Sequence, residues 1–343
     1  MSSLAERTVA PLYPGAFNLV MATGIVSNGF FLLGHRNFSD ALLVIGCAAF
    51  LVLLVALALR AILFPRRLWA DLVDPRLVFT FFTLVAASDV VGSGLHLRGH
   101  DGTATWLWLL ALCAWVLLGY FGFSVLTFVN DAEGSEIVHG GWLIAVVGTE
   151  SVAILGDLLA PRFGSARDAT YVTVYALWGI GIVLYAIFIA LFSHRIFFLR
   201  LGPDEAGPIF WVVMGAAAIS TNAGSTLVDY PSALPFLERL RPFVDGTTFV
   251  LWAWGTWWIP LLVILGVWRH VVRRYPLRFE AAYWNLVFPL GMYTVATFRL
   301  SLASDFGSLR TVARVMIWVA FAAWLAPAGG LVSAARRTRP RRS

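Results

Sequence analysis

The sequence has few charged residues, and it has no lysine. Of its 343 residues only 13% are charged, every Lys/Arg position is an arginine, and 59% are apolar. Soluble globular domains carry about 25% charged residues, so the chain has roughly half the polar surface that such domains expose to water. This shortage excludes soluble enzyme folds and predicts an all-α integral membrane protein.

Cysteine is scarce as well. The two cysteines, Cys47 and Cys113, both lie in apolar runs, which excludes a disulfide framework and a zinc knuckle. His96 and His100 are four residues apart, but no third metal ligand accompanies them. The sequence also has no phosphate loop and no nucleophile elbow. We therefore expect no metal, no cofactor and no enzymatic activity.

Long apolar runs are what the sequence does have. A spanning helix needs roughly 20 apolar residues, and 59% of 343 residues suffices for about ten such helices. The runs and their breaks predict helices at 13–33, 40–63, 76–96, 104–129, 140–160, 171–198, 208–230, 245–269, 280–303 and 309–334. No break is long enough to hold a second domain.

The arginines indicate an orientation in the membrane. If the N-terminus is cytoplasmic, most of the 25 basic residues fall on the cytoplasmic side, including those of the C-terminal tail. Because cytoplasmic loops are enriched in Lys and Arg, we expect both termini in the cytoplasm. The predicted organisation is a cytoplasmic segment 1–12, a ten-helix domain 13–334 and a basic cytoplasmic tail 335–343. We expect no removed signal peptide, and we do not attribute the net charge of +6 to nucleic-acid binding.

The predicted helices alternate in character along the chain. Even-numbered segments are apolar almost throughout, whereas odd-numbered segments carry hydroxyl, amide and small residues near their centres. This alternation predicts five repeats of a helical hairpin with one inner and one outer helix. Small polar residues in the inner helices can either allow close helix packing or surround a central pore. Because the pattern recurs in all five odd segments, we favour a quasi-five-fold arrangement in which they line a pore.

The sequence resembles the tellurite-resistance/dicarboxylate transporter family over nearly its whole length. The resemblance depends on residues 17–27 (FNLVMATGIVS), 257–260 (WWIP) and 283–290 (YWNLVFPL), followed by Thr294, Thr297 and Arg299. This family includes the bacterial tellurite-resistance channel, the yeast malate permease and the plant slow anion channel. The resemblance implies five hairpins around a pore, a homotrimer with one pore per subunit, and, for this chain, the bacterial inner membrane.

The resemblance also implies a gate. Family members block the pore with a phenylalanine just before a proline of the ninth helix, and the matching residues here are Phe288 and Pro289. Proline removes a backbone hydrogen bond and kinks a helix, and a large apolar ring in a narrow pore forms a dewetting barrier. The alternative is that Phe288 is an ordinary core residue.

Charged residues inside predicted helices have two interpretations each. Glu150 either pairs with Arg299 or a hydroxyl of another inner helix, or titrates and couples a proton to anion movement. Asp89 either makes a helix-to-helix hydrogen bond or contacts substrate. Arg299 either attracts anions or extends to the interface. The candidate pore-lining residues are Thr23, Ser27, Asn28, Ser88, Asp89, Thr149, Glu150, Thr221, Asn222, Ser225, Thr294, Thr297 and Arg299.

The sequence therefore predicts a multi-pass protein of the lipid bilayer that transports small anions, dicarboxylate- or oxyanion-like, through a central pore gated by Phe288. The alternative is a proton-coupled carrier of malate- or succinate-like acids, or an exporter of sulfite- or tellurite-like oxyanions, that uses Glu150.

Overall fold

A computed structural model describes residues 6, 9–129, 140–198, 202–229, 234–277 and 280–337 of the protein. Most of the predicted N-terminal segment 1–12 and the tail from residue 338 onward lie outside this part of the chain. The described residues form helices and connecting turns and contain no strand.

Ten helices are long and apolar enough to cross a bilayer, as the apolar runs predict. An eleventh, the short helix α3, lies between the second and third of them. In chain order the helices are α1 (Asn18–Leu32), α2 (Arg36–Leu63), α3 (Pro65–Leu72), α4 (Phe82–His96), α5 (Asp101–Phe128), α6 (Leu143–Leu159), α7 (Arg167–Phe198), α8 (Val212–Asp229), α9 (Pro235–Val267), α10 (Trp284–Ala303) and α11 (Ser308–Arg337).

The spanning helices divide into two sets by burial. Within α1, α4, α6, α8 and α10, between 72% and 100% of the most apolar stretch is buried. Within α2, α5, α7, α9 and α11, the buried share is only 17% to 33%. We call the first set the inner helices and the second set the outer helices. The predicted alternation along the chain is therefore an alternation between interior and periphery.

The inner helices form a closed ring. Each packs against the next one in the chain, and α10, the last, packs against α1, the first. Each outer helix packs against the inner helix of its own hairpin and also against the inner helix of the following hairpin, with α11 contacting α1. This pattern gives the five hairpins their quasi-five-fold arrangement.

Tight turns close the first two hairpins in the same way. Gly34 and Gly99 adopt positive φ angles of 88° and 81° directly after α1 and α4. In both turns the following histidine donates its backbone N–H to a carbonyl five residues earlier, His35 to Phe30 and His100 to Leu95. This is the Schellman arrangement, in which glycine adopts the left-handed conformation at little cost.

Every inner helix begins with a short 3₁₀ turn. These turns are Pro14–Phe17, Val78–Phe81, Gly140–Trp142, Pro208–Trp211 and Ala281–Tyr283. Each of the first four contacts the next 3₁₀ turn of this set. The five inner helices therefore begin at the same end of the ring.

Tryptophans of four outer helices tie each of them to the next inner helix. Three indoles donate Nε1–H to a threonine hydroxyl, from Trp115 to Thr149, Trp252 to Thr297 and Trp324 to Thr23, at 2.7–3.0 Å. The fourth, Trp178, donates to the backbone carbonyl of Ser220 at 3.2 Å. An apolar ring with one polar atom suits this boundary, because it packs against outer helices and satisfies a buried inner oxygen.

Candidate functional site

A cavity of about 40 Å³ lies on the axis of the inner ring. All five inner helices contribute side chains from their second halves. The lining residues are Ile25, Asn28, Leu32, Asp89, Val90, Ser93, Leu97, Ser151, Ile154, Leu158, Ile219, Asn222, Thr226, Met292, Val295 and Arg299. A buried water needs roughly 10–15 Å³ by this kind of measure, so the cavity has room for a few waters or one small anion.

The polar lining consists of amides, hydroxyls and two ionisable groups. Asn28 donates its Nδ2 to the carbonyl of Val90 at 3.0 Å, and Asn222 makes only a long contact of 3.8 Å to the sulfur of Met292. The Oδ1 atoms of both asparagines are buried and have no hydrogen-bond partner among the described residues. Buried polar atoms are usually hydrogen-bonded, so these oxygens are unsatisfied acceptors; that of Asn28 packs against Gly94 of α4.

Arg299 supplies the positive charge of the cavity. Its guanidinium lies 3.8 Å from a carboxylate oxygen of Asp229 on α8, and its side chain is 13% exposed. The Nη1–Oδ2 distance is long for a charge-assisted hydrogen bond, so the pair is loose. The guanidinium also interacts electrostatically with the buried carboxyl group of Asp157 on α6. One interpretation of the sequence pairs Arg299 with Glu150. In the structure Arg299 pairs with Asp229 instead.

Asp89 supplies the carboxyl group of the cavity. Ser151 on α6 donates its hydroxyl to Asp89 Oδ2 at 2.8 Å, while Oδ1 has no hydrogen-bond partner among the described residues. Asp89 therefore makes a helix-to-helix hydrogen bond and also lines the cavity. The hydrogen bond between helices is the first of the two interpretations derived from sequence, and contact with a substrate stays a prediction.

Glu150 lies on a different face of α6 from Ser151. Its carboxyl group packs against Gly181 of the outer helix α7, so closely that a Cβ at that position would overlap with it. Glu150 is fully buried, but it is not among the residues that line the central cavity. Since neighbouring helix positions point about 100° apart, the cavity receives Ser151 and the α6–α7 contact receives Glu150.

Several candidate pore-lining residues make other contacts. Thr23, Thr149 and Thr297 accept the tryptophan N–H bonds of outer helices. Ser27 donates to the backbone carbonyl of Ser39 on α2 at 2.6 Å. Three further candidates, Ser88, Thr221 and Thr294, donate to carbonyls four residues earlier in their own helices. Ser225 is buried and its hydroxyl has no hydrogen-bond partner among the described residues.

Phe288 and Pro289 lie on α10 before the cavity. Phe288 is 3% exposed and precedes the cavity residue Met292 by one helical turn. Pro289 packs against α8 at Gly215, where its Cγ lies 2.8 Å from the position a Cβ would take. Only glycine at Gly215 allows the proline ring this close approach. The inner helices α8 and α10 therefore approach closely just before the cavity.

Sequence reasoning left three polar lining residues out of the candidate list: Ser93, Ser151 and Thr226. Ser93 and Thr226 could have been predicted from the sequence. Ser93 is four residues after Asp89, Thr226 is four residues after Asn222, and residues four apart share a helix face. Ser151 adjoins Glu150, and choosing between them requires the rotation of α6 about its axis.

Comparisons with known proteins identify the family. The sequence profile of the voltage-dependent anion channel family, SLAC1, matches residues 12–332. The chain belongs to the SLAC1 family. The match covers all ten spanning helices except the end of α11, in agreement with the resemblance to slow anion channels and their relatives.

Individual relatives are similar at lower levels. An uncharacterized transporter of Methanocaldococcus jannaschii, MJ0576, is 25% identical over 91% of this chain and 90% of its own length. An uncharacterized membrane protein of Mycobacterium tuberculosis, Rv1735c, is 41% identical over 41% of this chain and 71% of its own. The sulfite efflux pump SSU1 of Trichophyton rubrum is 23% identical over 84% of this chain and 81% of its own.

Membership in the SLAC1 family gives the general activity. This SLAC1-family chain is a multi-pass membrane protein that transports anions, and the family consists of channels and transporters rather than enzymes. Within the described residues, no group of three or more His, Cys, Asp or Glu could hold a metal ion. His96 instead contacts Asp101 at 2.7 Å.

Proposed function

We propose that small anions cross the membrane along the axis of the inner ring, through the cavity between Asp89 and Arg299. The observation that carries this proposal is that five helices of one chain direct polar side chains into one narrow space. Polar and ionisable groups inside a membrane are costly unless they face protein or water. Their collection on one axis is explained if that axis is a path for a charged solute.

We infer that Phe288 closes this path. The ring is buried, one helical turn before the cavity. An apolar constriction next to a polar cavity stops hydrated ions, because a narrow apolar passage expels water. Pro289 has no backbone N–H, so the carbonyl of Asn285 lacks its helical hydrogen-bond partner. The weakened helix supports a Phe288 side chain that can move. Opening then requires the Phe288 ring to rotate away from the axis.

We rank compact oxyanions above longer dicarboxylates as substrates. The similarity to a sulfite efflux pump of Trichophyton rubrum supports this order. We therefore propose sulfite-like oxyanions as the first substrate class, tellurite-like oxyanions next and dicarboxylates last.

The carrier alternative that uses Glu150 receives no support from the position of that residue. Its carboxyl group packs against Gly181 in the contact between α6 and α7, away from the cavity. Asp89 lines the cavity and is the carboxyl group that is better placed to meet an anion there.

We also infer the setting of the protein. The arginine distribution supports an orientation with both termini in the cytoplasm, and the family resemblance supports a bacterial inner membrane and a homotrimer with one path per subunit. On this orientation the inner helices begin at the cytoplasmic face, so the cavity lies in the outer half of the membrane.

Planar bilayers containing the purified full-length protein test the proposed function. We expect current that reverses near the equilibrium potential of the anion, with sulfite and chloride carried better than malate. Protein-free bilayers provide the background. Saturable, electrically silent flux would indicate a carrier, and the absence of anion-dependent flux above background would contradict the proposal.

A further inference from the structure

Two ionisable side chains, Asp89 and Arg299, face the same small cavity from α4 and α10. Asp89 is 1% exposed. One of its carboxylate oxygens accepts a hydrogen bond from Ser151 at 2.8 Å, and the other has no hydrogen-bond partner among the described residues. A single neutral donor solvates an ionised carboxylate poorly, so the proton occupancy of Asp89 depends on what else enters the cavity.

The elements packed against α4 bring no compensating cation to Asp89. Neither α1 nor the two 3₁₀ turns next to it carry a charged side chain. Asp40 of α2 is paired with Arg98, and Asp101 of α5 contacts His96 and Arg162. The remaining charged residues of these neighbours are Arg36, Asp71 with its partner Arg60, Glu150 and Asp157. Across the cavity Arg299 is accompanied by two carboxyl groups, Asp229 at 3.8 Å and the buried Asp157.

An ionised Asp89 and an entering anion repel each other strongly in this space. Charges a few ångströms apart inside a protein interact far more strongly than in water. A protonated Asp89 is neutral and adds an O–H donor, which removes this repulsion.

We propose that Asp89 is the proton-binding group that controls anion entry into the cavity. With the proton on Asp89 the cavity accepts an anion, and with the proton released to water in the cavity the carboxylate excludes it. This inference rests on the proposed function, because it assumes that anions pass through the cavity. It assigns the control to Asp89 rather than to Glu150, and it makes anion flux increase as the pH falls.

The test uses full-length protein in liposomes and anions whose own charge does not change with pH. Chloride and methanesulfonate both remain singly charged from about pH 5 to about pH 8. We expect the wild-type flux of both probes to be highest at the acidic end of this range and to fall as the pH rises. Asp89→Asn carries no titratable proton, so its flux should stay near the acidic value at every pH. Asp89→Glu should restore a pH dependence.

Ser151 provides a second variant on the same wall. Its hydroxyl stabilises the ionised form of Asp89, so Ser151→Ala should let the proton persist to higher pH and move the midpoint of the flux profile upward. The matched control is Ser301→Ala, which removes a buried hydroxyl that donates within α10 to Phe298. This control should leave the midpoint unchanged. The Ser151→Ala shift tests the proposal even if Asp89→Asn does not fold.

Three results distinguish the possible failures. If wild-type flux depends on pH and Asp89→Asn shows the same profile, the assignment to Asp89 is wrong. If Glu150→Gln abolishes the pH dependence of flux while Asp89→Asn retains it, the proton that controls anion entry binds to Glu150 in the α6–α7 contact. If wild-type protein moves neither probe nor sulfite above protein-free liposomes at any pH, the proposed function itself fails.

Discussion

Trp324 donates its indole N–H to the hydroxyl of Thr23 at 3.0 Å across 301 residues of sequence. This bond joins the last outer helix to the first inner helix, where the ring of five hairpins closes. Trp115 and Trp252 make the corresponding bonds to Thr149 and Thr297. The same tryptophan–threonine hydrogen bond therefore recurs between hairpins, including the pair of helices that closes the ring.

Removing the hydrogen bond between Trp324 and Thr23 should destabilise the protein without changing its selectivity among anions. Trp324→Phe removes the donor and keeps an aromatic ring, and Thr23→Val removes the acceptor and keeps the shape. Hydrogen bonds between membrane helices contribute about 0.6 kcal/mol on average, so we expect a coupling energy of roughly that size in a double-mutant cycle of the free energy of unfolding. Additive effects of the two changes would show that the bond contributes nothing.

Phe288→Ala should raise anion conductance. Removing the ring takes away the proposed apolar barrier one turn before the cavity, and water can then connect the two sides. Currents in planar bilayers or in oocytes measure the effect. The matched control is Phe249→Ala, since Phe249 is 55% exposed on the outer helix α9. Unchanged current in Phe288→Ala at equal protein levels would assign Phe288 to the ordinary core.

Arg299→Gln should lower anion flux by about tenfold or more, because a unit charge facing a narrow path contributes several kcal/mol at short range. Arg299→Lys should retain part of the flux. Arg162→Gln is the control, since Arg162 pairs with Asp101, is 59% exposed and does not line the cavity. Flux measurements in liposomes give the comparison, and equal losses in Arg299→Gln and Arg162→Gln would remove the special role of Arg299.

Gly215→Ala should disturb the approach of Pro289 to α8. A Cβ on Gly215 would lie 2.8 Å from Pro289 Cγ, and overpacking of this kind typically costs about 1–3 kcal/mol. We expect a lower thermal midpoint in detergent and altered current, because the displaced proline is next to Phe288. Gly266→Ala on α9 is the control, since its Cβ would meet nothing within 4 Å. A wild-type midpoint for Gly215→Ala would show that Pro289 moves aside freely.

The sequence predicted the helices and their inner or outer place because both depend on composition. A span needs a certain apolar length, and polar residues such as Asn28 and Asn222 are concentrated in the inner helices, which are shielded from lipid. The predictions were weaker for the direction each side chain takes. A buried threonine looks the same in sequence whether it faces a pore or, like Thr149, a tryptophan of another helix.

Adjacent residues show the limit most clearly. Glu150 and Ser151 are both polar, both near the centre of α6, and only Ser151 lines the cavity. Which of the two faces the axis depends on how α6 rotates against α4, α7 and α8, and no local pattern in the sequence encodes that rotation. Glu150 is the ionisable residue of the two, but its carboxyl group packs against Gly181 of an outer helix.

The most direct test asks whether the cavity is on the route of the anion. In a background where Cys47 and Cys113 are alanine, Ser93→Cys puts a thiol in the cavity wall, and Gly102→Cys puts one in open space at the start of α5. A charged, water-soluble thiol reagent should block most of the anion flux through Ser93→Cys and leave Gly102→Cys unaffected. Complete labelling of Ser93→Cys with undiminished flux would contradict the account.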